Sequence, residues 1–340
     1  MGVDNYLASL GVEQIEGKTS IKRILEINAS CGVDSGDGIT DFSRLEWYRG
    51  RFLFAAPSSE SQTVSILERC KKVQQEYRIR GAAHSSNGNS IPKENELLIS
   101  TEGLVEVRYK DINSLSVEAG VQIFELNQAL SRLGRSVPVL HDGDLPASTI
   151  GGFICAGGFG SKSNIYGGFW NHVLSIRVWC PINGIIEYTR ECERFWHIFG
   201  GGSIDEVILS AHLVIHGSNS LPERMYIKRR NVIHERAIWF TIIAPHTSVR
   251  RLRREILLLD KQMNKFWDPL PVYEYLIKDI GGRIPPAFFP LSGIDLLAAG
   301  VWGLVKDESL IDRHSMLDLV NQAVENVPNG RRYSQSELIK

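Results

Sequence analysis

The feature that most constrains the fold of this chain is the glycine-rich stretch Ser148–Gly160, in which five of the ten residues from Gly151 to Gly160 are glycine. Glycine loses more conformational freedom on folding than any other residue, so this density is costly unless the backbone must approach something closely. Two readings are open: a tight turn without a ligand, or a loop against a cofactor. The stretch has neither the GxGxxG order of a nicotinamide Rossmann site nor the GxxxxGK(S/T) order of a P-loop.

A second glycine-bracketed loop, Ile79–Gly88, lies earlier in the chain and holds one histidine, His84, among small side chains with hydroxyl or amide groups. It follows a strand-like segment, and its backbone N–H groups and small polar side chains suit a pyrophosphate. Taken alone, this segment reads equally well as a polar surface loop. The Ser148–Gly160 stretch supports the interpretation as a pyrophosphate loop, because it fits the same kind of ligand.

Composition and charge restrict the class of protein. The formal net charge of −1 leaves no overall basic field for nucleic acid or an anionic membrane. The run Arg250–Arg254 stands at helical spacing and is interpreted as a solvated helix face. Five cysteines without a CxxC pair argue against a zinc site and a disulfide scaffold, so no metal is expected. With no leader-like N-terminus and no apolar run of spanning length, we expect a cytoplasmic protein without a membrane span.

Hydrophobic periodicity divides the chain into an N-terminal segment (1–50), a first domain (51–217) and a shorter second domain (218–340). Helices are predicted at 19–28, from about 57 to 77, and at 123–133, 248–261 and 315–325. Strands are predicted at 52–56, 96–100, 114–118, 173–180, 185–188, 207–215 and 237–243. This mixture of strands and helices indicates an α+β fold.

The chain resembles the FAD-binding domain of the vanillyl-alcohol oxidase and p-cresol methylhydroxylase (PCMH-type) superfamily over roughly Phe52–Gly217. The motifs that carry the resemblance are Pro57 opening a helix, Arg80-Gly81 with His84-Ser85, Val117–Val121, Thr149–Gly152, Tyr166-Gly167, Val173 with the strand after it, and Phe195 before Gly200–Gly202. Their order and spacing make the resemblance specific, although no single motif does. It implies a two-subdomain PCMH-type FAD-binding domain followed by a short α+β cap or substrate domain.

Within that superfamily the chain is most similar to cytokinin-dehydrogenase-like oxidases, whose corresponding loop carries Gly-His-Ser. Those relatives attach the flavin 8α-methyl group to that histidine, and His84 occupies the matching place; the alternative is a solvent-facing or capping histidine. Ala83 departs from the pattern, since the relatives mostly have glycine directly before the histidine. The FAD contacts implied by the resemblance come from Arg80, Gly81, Ala82, Ala83, His84, Ser85, Ser86, Asn87, Gly88, Asp144, Ser148, Thr149, Gly151, Gly152, Ala156, Gly157, Gly158, Gly160, Tyr166 and Ile208.

The resemblance also implies a base for the reaction. Cytokinin-dehydrogenase-like members place an aspartate five residues before the threonine of the Thr-Ile-Gly-Gly motif, and Asp144 stands there in this chain. An acid near a flavin is chemically sensible, because removing the N–H or O–H proton of the substrate assists hydride transfer. Asp142 and Asp144 read equally well as turn formers around a glycine. His141 is a weaker candidate base, and Cys155 is expected to be a small packed residue beside the ring.

The resemblance implies an FAD-dependent oxidoreductase that takes a hydride from an alcohol or amine carbon of a small molecule or biosynthetic intermediate. A flavin-dependent oxidative cyclase shares the scaffold, and so does a degenerate, non-catalytic binding protein. Ser203–Glu206 adds bulk and two negative charges where relatives have further glycines, which favours the degenerate reading, whereas the intact His84 opposes it. The short second domain is compatible with an open site for a large or carrier-bound substrate.

Overall fold

The computed structural model describes residues 5–16, 20–29, 31, 35–42, 46–84, 88–139, 148–160, 162–200, 206–217, 237–281, 283–288, 293–305 and 312–333. Helices and strands alternate in these residues, and the strands form three main sheets. The predicted α+β class is therefore confirmed.

The first sheet has a parallel core and orders the loops that follow it. Its strands are β1 (Glu13–Glu16), β2 (Arg51–Ala55), β3 (Tyr77–Arg80) and β4 (Leu97–Ser100), in the order β1-β2-β4-β3. Helix α1 (Asn5–Ser9), helix α2 (Ile21–Ala29) and helix α3 (Glu60–Val73) accompany this sheet. Since β2, β3 and β4 run parallel, their carboxyl ends share one edge, which is where ligands bind in open α/β sheets.

The second sheet is antiparallel and follows in the chain. Its order is β5-β6-β10-β8-β9, with β5 (Val107–Asp111), β6 (Ser114–Glu118), β8 (Val173–Cys180), β9 (Gly184–Thr189) and β10 (Val207–Val214). Strands β7 (Arg135–Ser136) and β11 (His216–Gly217) pair with each other. The helices of this region are α4 (Ile123–Ser131), α5 (Ile150–Ala156), α6 (Ser163–Tyr166) and α7 (Glu193–Ile198).

Helix α5 forms inside the glycine-rich stretch, which the sequence pattern presented as a loop. The hydroxyl of Thr149 caps its first turn, and Gly157 ends it with a φ of +68°, a conformation that glycine adopts without strain. Three apolar side chains between them, Ile150, Phe153 and Ile154, are buried in the core. Their burial outweighs the low helix propensity of the two glycines in the first turn.

The third sheet is formed by residues of the predicted second domain and is covered by helices on one face. It contains β12 (Ala237–Pro245), β13 (Asp268–Pro269), β14 (Tyr273–Ile277), β15 (Leu296–Leu304) and β16 (Arg331–Arg332). Helices α8 (Val249–Met263) and α9 (Arg313–Glu325) pack on it through Leu252 and Val320. Within the basic run, Leu252 is buried whereas Arg250, Arg253 and Arg254 are exposed, as expected of a solvated face.

The opposite face of the third sheet packs on the first domain. Ile243 and Ala298 join the same core as Phe153 and Phe169, so the two domains share apolar packing. Strand β15 escaped the sequence prediction because both of its faces are covered, which removes the alternation typical of a half-exposed strand. None of the described helices combines the length and the apolar composition needed to cross a bilayer.

A histidine pair connects the segment before β8 with β11, at the end of the first domain. His172 is 3% exposed; its Nε2 lies 3.0 Å from the Tyr166 carbonyl oxygen and its Nδ1 3.2 Å from Nε2 of His216, which belongs to β11. Burial lowers the pKa of His172 to about 4, and it also lowers that of His216. The imidazole of His172 is therefore neutral in the folded protein at all but acid pH.

We expect this pair to make the protein acid-sensitive. Because the pKa of His172 is lower when folded than when unfolded, the unfolded chain binds the extra proton, and stability falls as pH drops from about 6.5 to 4. The contribution of His172 to this loss should be about 3 kcal/mol. Urea unfolding of His172→Gln should show a correspondingly flatter pH dependence, whereas His197→Gln at an exposed site should keep the original one. Parallel curves for all three proteins would contradict the assignment.

Candidate functional site

The loops that follow the parallel strands meet at one edge of the first sheet. The backbone N–H of Thr101, after β4, donates to the carbonyl oxygen of Arg80 at 2.8 Å. A Cβ atom placed on Gly120 would lie 1.8 Å from the Thr101 carbonyl oxygen, and one placed on Gly103 would lie 2.3 Å from the Pro57 carbonyl oxygen, so no larger residue fits at either position. The turns after β2, β3 and β4 are thus held in direct contact.

The two glycine-rich segments of the sequence come together at Thr149. A Cβ atom placed on Gly81 would lie 2.6 Å from the Oγ1 atom of Thr149, so only glycine allows this approach. The same hydroxyl accepts a hydrogen bond from the backbone N–H of Gly152 at 3.2 Å and so caps α5. The loop after β3 and the start of α5 therefore form one continuous surface.

A third backbone segment, Ala119–Val121, holds the start of α5 in place through hydrogen bonds. The N–H groups of Gly151 and Ile150 donate to the carbonyls of Ala119 and Val121, both at 2.9 Å. Ala119 in turn donates to the Leu209 carbonyl at 2.9 Å, opposite an irregularity that separates Ile208 from Ser210 in the register with β8. The predicted contact residue Ile208 thus lies next to the loop surface, with its side chain buried in the core.

One side of α5 is exposed to solvent. Gly152 and Cys155, three residues apart, are its exposed positions, whereas Ala156 is buried. Although Cys155 is reached by solvent, the surrounding protein raises the pKa of its thiol to about 11. Cys155 therefore lies on the exposed side of α5, and its packing beside a flavin ring stays a prediction.

Two of the predicted contact glycines serve packing within the protein. The ring of Phe288, from the second domain, occupies the space that a side chain on Gly157 would need. The ring of Phe153 does the same at Gly158. Gly160 donates its N–H to the Ser163 hydroxyl at 3.0 Å. These contacts explain much of the glycine density by aromatic packing, so close backbone approach to a ligand is left chiefly to Gly152.

The side chain of Arg80 points away from the loop surface. Its guanidinium donates to the carbonyls of Thr40 at 2.9 Å and Ser90 at 3.1 Å, and to the Sγ of Cys31 at 3.5 Å. Arg80 is 1% exposed, and this burial lowers the pKa of its guanidinium. The residue anchors the N-terminal segment, so a contact with FAD is left to its backbone.

His84 lies on the loop surface between two aromatic rings. Its ring stacks on Phe42 at 4.5 Å and an angle of 26°, and Trp239 of the second domain lies 6.1 Å away. Ala83 has a φ of +48°, and its carbonyl accepts from the N–H of Phe42 at 2.9 Å. The half-buried, stacked position disfavours the reading of His84 as a solvent-facing residue. The positive φ at position 83 also explains why the relatives mostly have glycine there, because glycine adopts this backbone conformation without strain.

The aromatic face of the second domain was missed by sequence reasoning. Trp239 and Thr241 alternate along β12 on the side opposite α8, which is the one signal the sequence contains. The Oγ1 atom of Thr241 lies 2.5 Å from the hydroxyl of Tyr273, and the Tyr273 ring fills the space above Gly300. No spacing in the chain relates Tyr273 to Thr241, because β14, β15 and β12 meet only through the fold.

The remaining predicted cofactor-contact and catalytic residues lie elsewhere or outside the described residues. Ser85, Ser86, Asn87, His141 and Asp144 lie outside the described residues. Gly88 and Ala82 belong to the loop after β3; the N–H of Gly88 donates to Asp41 at 2.9 Å, and Ala82 is buried. The partly buried ring of Tyr166 lies 5.4 Å from His216. The Ser148 carbonyl accepts from Ile123 at 3.0 Å.

Two observations bear on charge and metals near the site. Glu206, expected to bring negative charge towards a cofactor, accepts instead from the Tyr188 hydroxyl at 2.8 Å and from Arg194 at 3.1 Å. Its charge is therefore neutralised beside β9. Within the part of the chain that the structure describes, no cluster of three or more histidine, cysteine or acidic side chains has the arrangement of a metal site.

The left-handed conformation at Ala83 leads to a prediction about stability. A non-glycine residue there costs about 1–2 kcal/mol, part of which glycine recovers after its larger chain entropy is counted. Ala83→Gly should therefore raise the free energy of unfolding by about 0.5–1 kcal/mol in urea unfolding. Ala82→Gly is a matched control at a neighbouring buried alanine without a positive φ, and it should lower stability. Equal losses in both variants would show that position 83 is unstrained.

The comparison with known proteins points to the same two glycine-rich segments as the geometry does. A sequence profile of the FAD binding domain family matches residues 53–189, which include both glycine-rich segments. D-lactate dehydrogenase from Archaeoglobus fulgidus is 29% identical over 126 residues, which cover 37% of this chain and 28% of that protein.

Two solved structures share the architecture. A variant of BBE-like 1 from Physcomitrella patens has a TM-score of 0.52 at 18% identity, covering 98% of this chain and 62% of that one. Chitooligosaccharide oxidase has a TM-score of 0.50 at 15% identity, covering 96% of this chain and 59% of that one. This chain thus spans about three-fifths of their length. At these identities the likeness concerns the fold. Residues 53–189 are therefore similar to the FAD binding domain family, and the chain as a whole shares its fold with these two structures.

Proposed function

We propose that this protein is an FAD-dependent oxidoreductase that takes a hydride from an alcohol or amine carbon of a small-molecule or biosynthetic intermediate. The observation that carries the proposal is the meeting of the two glycine-rich segments at Thr149, within hydrogen-bonding distance of Gly152. The relatives support a redox reaction, since one is a dehydrogenase of D-lactate and another an oxidase of chitooligosaccharides.

The residues on this surface fit an FAD molecule. Gly152 presents backbone without a side chain on the exposed side of α5, and the loop after β3 supplies further small residues. We expect contacts from Gly81 to Gly88 and from Ser148 to Gly152. When bound, FAD would accept the hydrogen and two electrons of the substrate C–H bond, and an external electron acceptor would then remove them. The substrate carbon becomes a carbonyl or imine as its O–H or N–H proton leaves.

His84 is proposed as the covalent anchor of the flavin. A ring nitrogen of His84 would bond to the 8α carbon as the methyl group and the imidazole each lose one proton. The two electrons released pass into the flavin and from there to the external acceptor. Stacking on Phe42 holds the imidazole plane, and Trp239 closes the other side at 6.1 Å. This fixed orientation suits a histidine that forms one specific bond.

Asp144 is proposed as the base that receives the substrate proton, with His141 as the alternative. Asp144 lies five residues before Thr149, so a fully extended chain cannot place it further than about 18 Å from that residue. This limit is compatible with the proposed role. Oxidative cyclisation by the same surface needs the same flavin and base, so an assay of substrate with oxygen distinguishes the two reactions by their products.

A non-catalytic binding protein is the second candidate function. It stays a candidate because the likeness to the solved structures, at 15–18% identity, concerns the fold. The pairing of Glu206 with Arg194 weakens it, because that carboxylate does not repel a cofactor. The first experiment is therefore to purify the protein and ask whether it carries, or can be reconstituted with, FAD.

The colour of acid-precipitated protein tests both the cofactor and the anchor. We expect a yellow pellet from the wild type, because a C–N bond survives acid, and a colourless pellet with free flavin from His84→Ala. Cys155→Ala is the control, since Cys155 is an exposed thiol on α5, and its pellet should stay yellow. Complete release from the wild type would refute the covalent bond, and a protein that never binds FAD would refute the proposed function.

The contact between Gly81 and Thr149 gives a second test of the cofactor surface. In the His84→Ala background, where binding is reversible, Gly81→Ala should weaken FAD binding about tenfold or more, because the added methyl group separates the two segments. Gly217→Ala is the matched control, since nothing lies within 4 Å of its added Cβ. Fluorescence titration of FAD measures both. Unchanged affinity in Gly81→Ala would show that FAD binds elsewhere.

A further inference from the structure

Helix α8 carries a row of positive charge on the side that faces away from the third sheet. Arg250, Arg254, Leu257 and Lys261 are exposed, and their spacing of four, three and four residues places them in one row along the helix. Leu252, on the opposite side, is buried against the sheet. Among the described residues, no carboxylate forms an ion pair with the three cations of this row. The row therefore presents three positive charges to solvent.

Helix α9 carries negative charge on the corresponding side. Asp318 and Glu325 are exposed and stand seven residues apart, which is two helical turns along one side. Val320 lies on the other side and is buried against the sheet. Within the part of the chain that the structure describes, neither carboxylate has an ion-pair partner. Two adjacent helices thus present opposite charges to solvent.

Hydrogen bonds fix how the two helices lie against each other. The Nε atom of Arg251 donates to the Asn326 carbonyl at 2.9 Å, and the Asn326 amide donates to the Glu255 carboxylate at 3.1 Å. The Ser248 hydroxyl donates to the Pro328 carbonyl at 3.0 Å. The start of α8 therefore lies beside the end of α9, and the two packed helices run antiparallel.

A second copy of the chain matches this surface in charge. A two-fold axis parallel to the helices places α8 of each copy over α9 of the other and leaves positions along the axis unchanged. Since Asn326 lies level with the first turns of α8, Arg254 is level with Glu325, and Lys261 is level with Asp318. In the rotated pair each of these cations faces the matching carboxylate of the other copy.

The centre of the same surface is apolar. Leu258 follows Arg251 by seven residues and Glu255 by three, so it lies on the side of α8 that is next to α9. It is 43% exposed, and its neighbour Leu257 is 55% exposed. The two-fold rotation brings Leu258 against the Leu258 of the other copy. Apolar contact at the axis, with ion pairs around it, is the usual arrangement of a protein interface.

We propose that the outer surface of α8 and α9 is the interface of a two-fold symmetric dimer of this protein. The proposal concerns assembly and stands apart from the flavin function. An anionic membrane would also attract the row on α8, but the carboxylates of α9 would repel it. Because α8 is only about 22 Å long, the interface is small, and we expect a Kd on the order of micromolar.

Sedimentation equilibrium of the full chain, as purified, provides the first test. The mean mass should rise from 38.1 kDa towards twice that value over about 1–100 μM protein. Leu258→Glu should weaken the dimer at least about tenfold, because two carboxylates would meet at the axis. Lys72→Glu, at an exposed position on α3, is the matched control and should dimerise as the wild type does. A wild type that stays monomeric throughout would overturn the proposal.

Mixing two charge-reversal variants tests the arrangement itself. Arg254→Glu and Glu325→Arg should each weaken the dimer at least about tenfold, because like charges would face each other twice. An equimolar mixture should dimerise again, since both contacts of the mixed pair then join opposite charges, and misfolded variants would not recover in this way. A mixture that stays monomeric would overturn the proposed interface. So would a monomeric wild type that sediments with vesicles of phosphatidylcholine and phosphatidylserine.

Discussion

The close approach of Gly81 to Thr149 is the contact on which the functional surface depends. It brings the loop after β3, in the first sheet, against helix α5 beside the second sheet. No side chain larger than hydrogen fits between them. The Thr149 hydroxyl is used twice, as the neighbour of Gly81 and as the cap of α5. The backbone groups exposed beside it are therefore held by contacts that already exist within the protein, which is the preorganisation that cofactor binding requires.

The second domain completes the site by packing its sheet face to face with the first domain. Phe288 fills the space beside Gly157, and Tyr333 lies 4.7 Å from Phe159, so the glycine-rich stretch is in part an aromatic seam. The same face carries Trp239 to the side of His84. One apolar interface thus fixes the distance between the loop of His84 and the inner face of the third sheet.

Most elements of the first domain follow from local patterns, because strands such as Val173–Cys180 and helices such as Ile123–Ser131 have strong periodicity and clear ends. The loop of His84 and the Thr149 segment were also recognisable from residue type and spacing. Strand β15 and the contact of Tyr273 with Thr241 were not recognisable in this way. Their environment is made by strands far apart in the chain, and a strand covered on both faces shows no alternation to read.

The sequence by itself determined the α+β class, the likeness to an FAD binding domain and the position of His84 in its loop, because glycine, histidine and their spacing are local features. Only the tertiary structure decided which glycines meet an aromatic ring, that Arg80 anchors the N-terminal segment, and that Cys155 is exposed on α5. Those outcomes depend on what lies across the packed interface. A side chain's partner is set by three-dimensional contact, and a linear pattern does not record it.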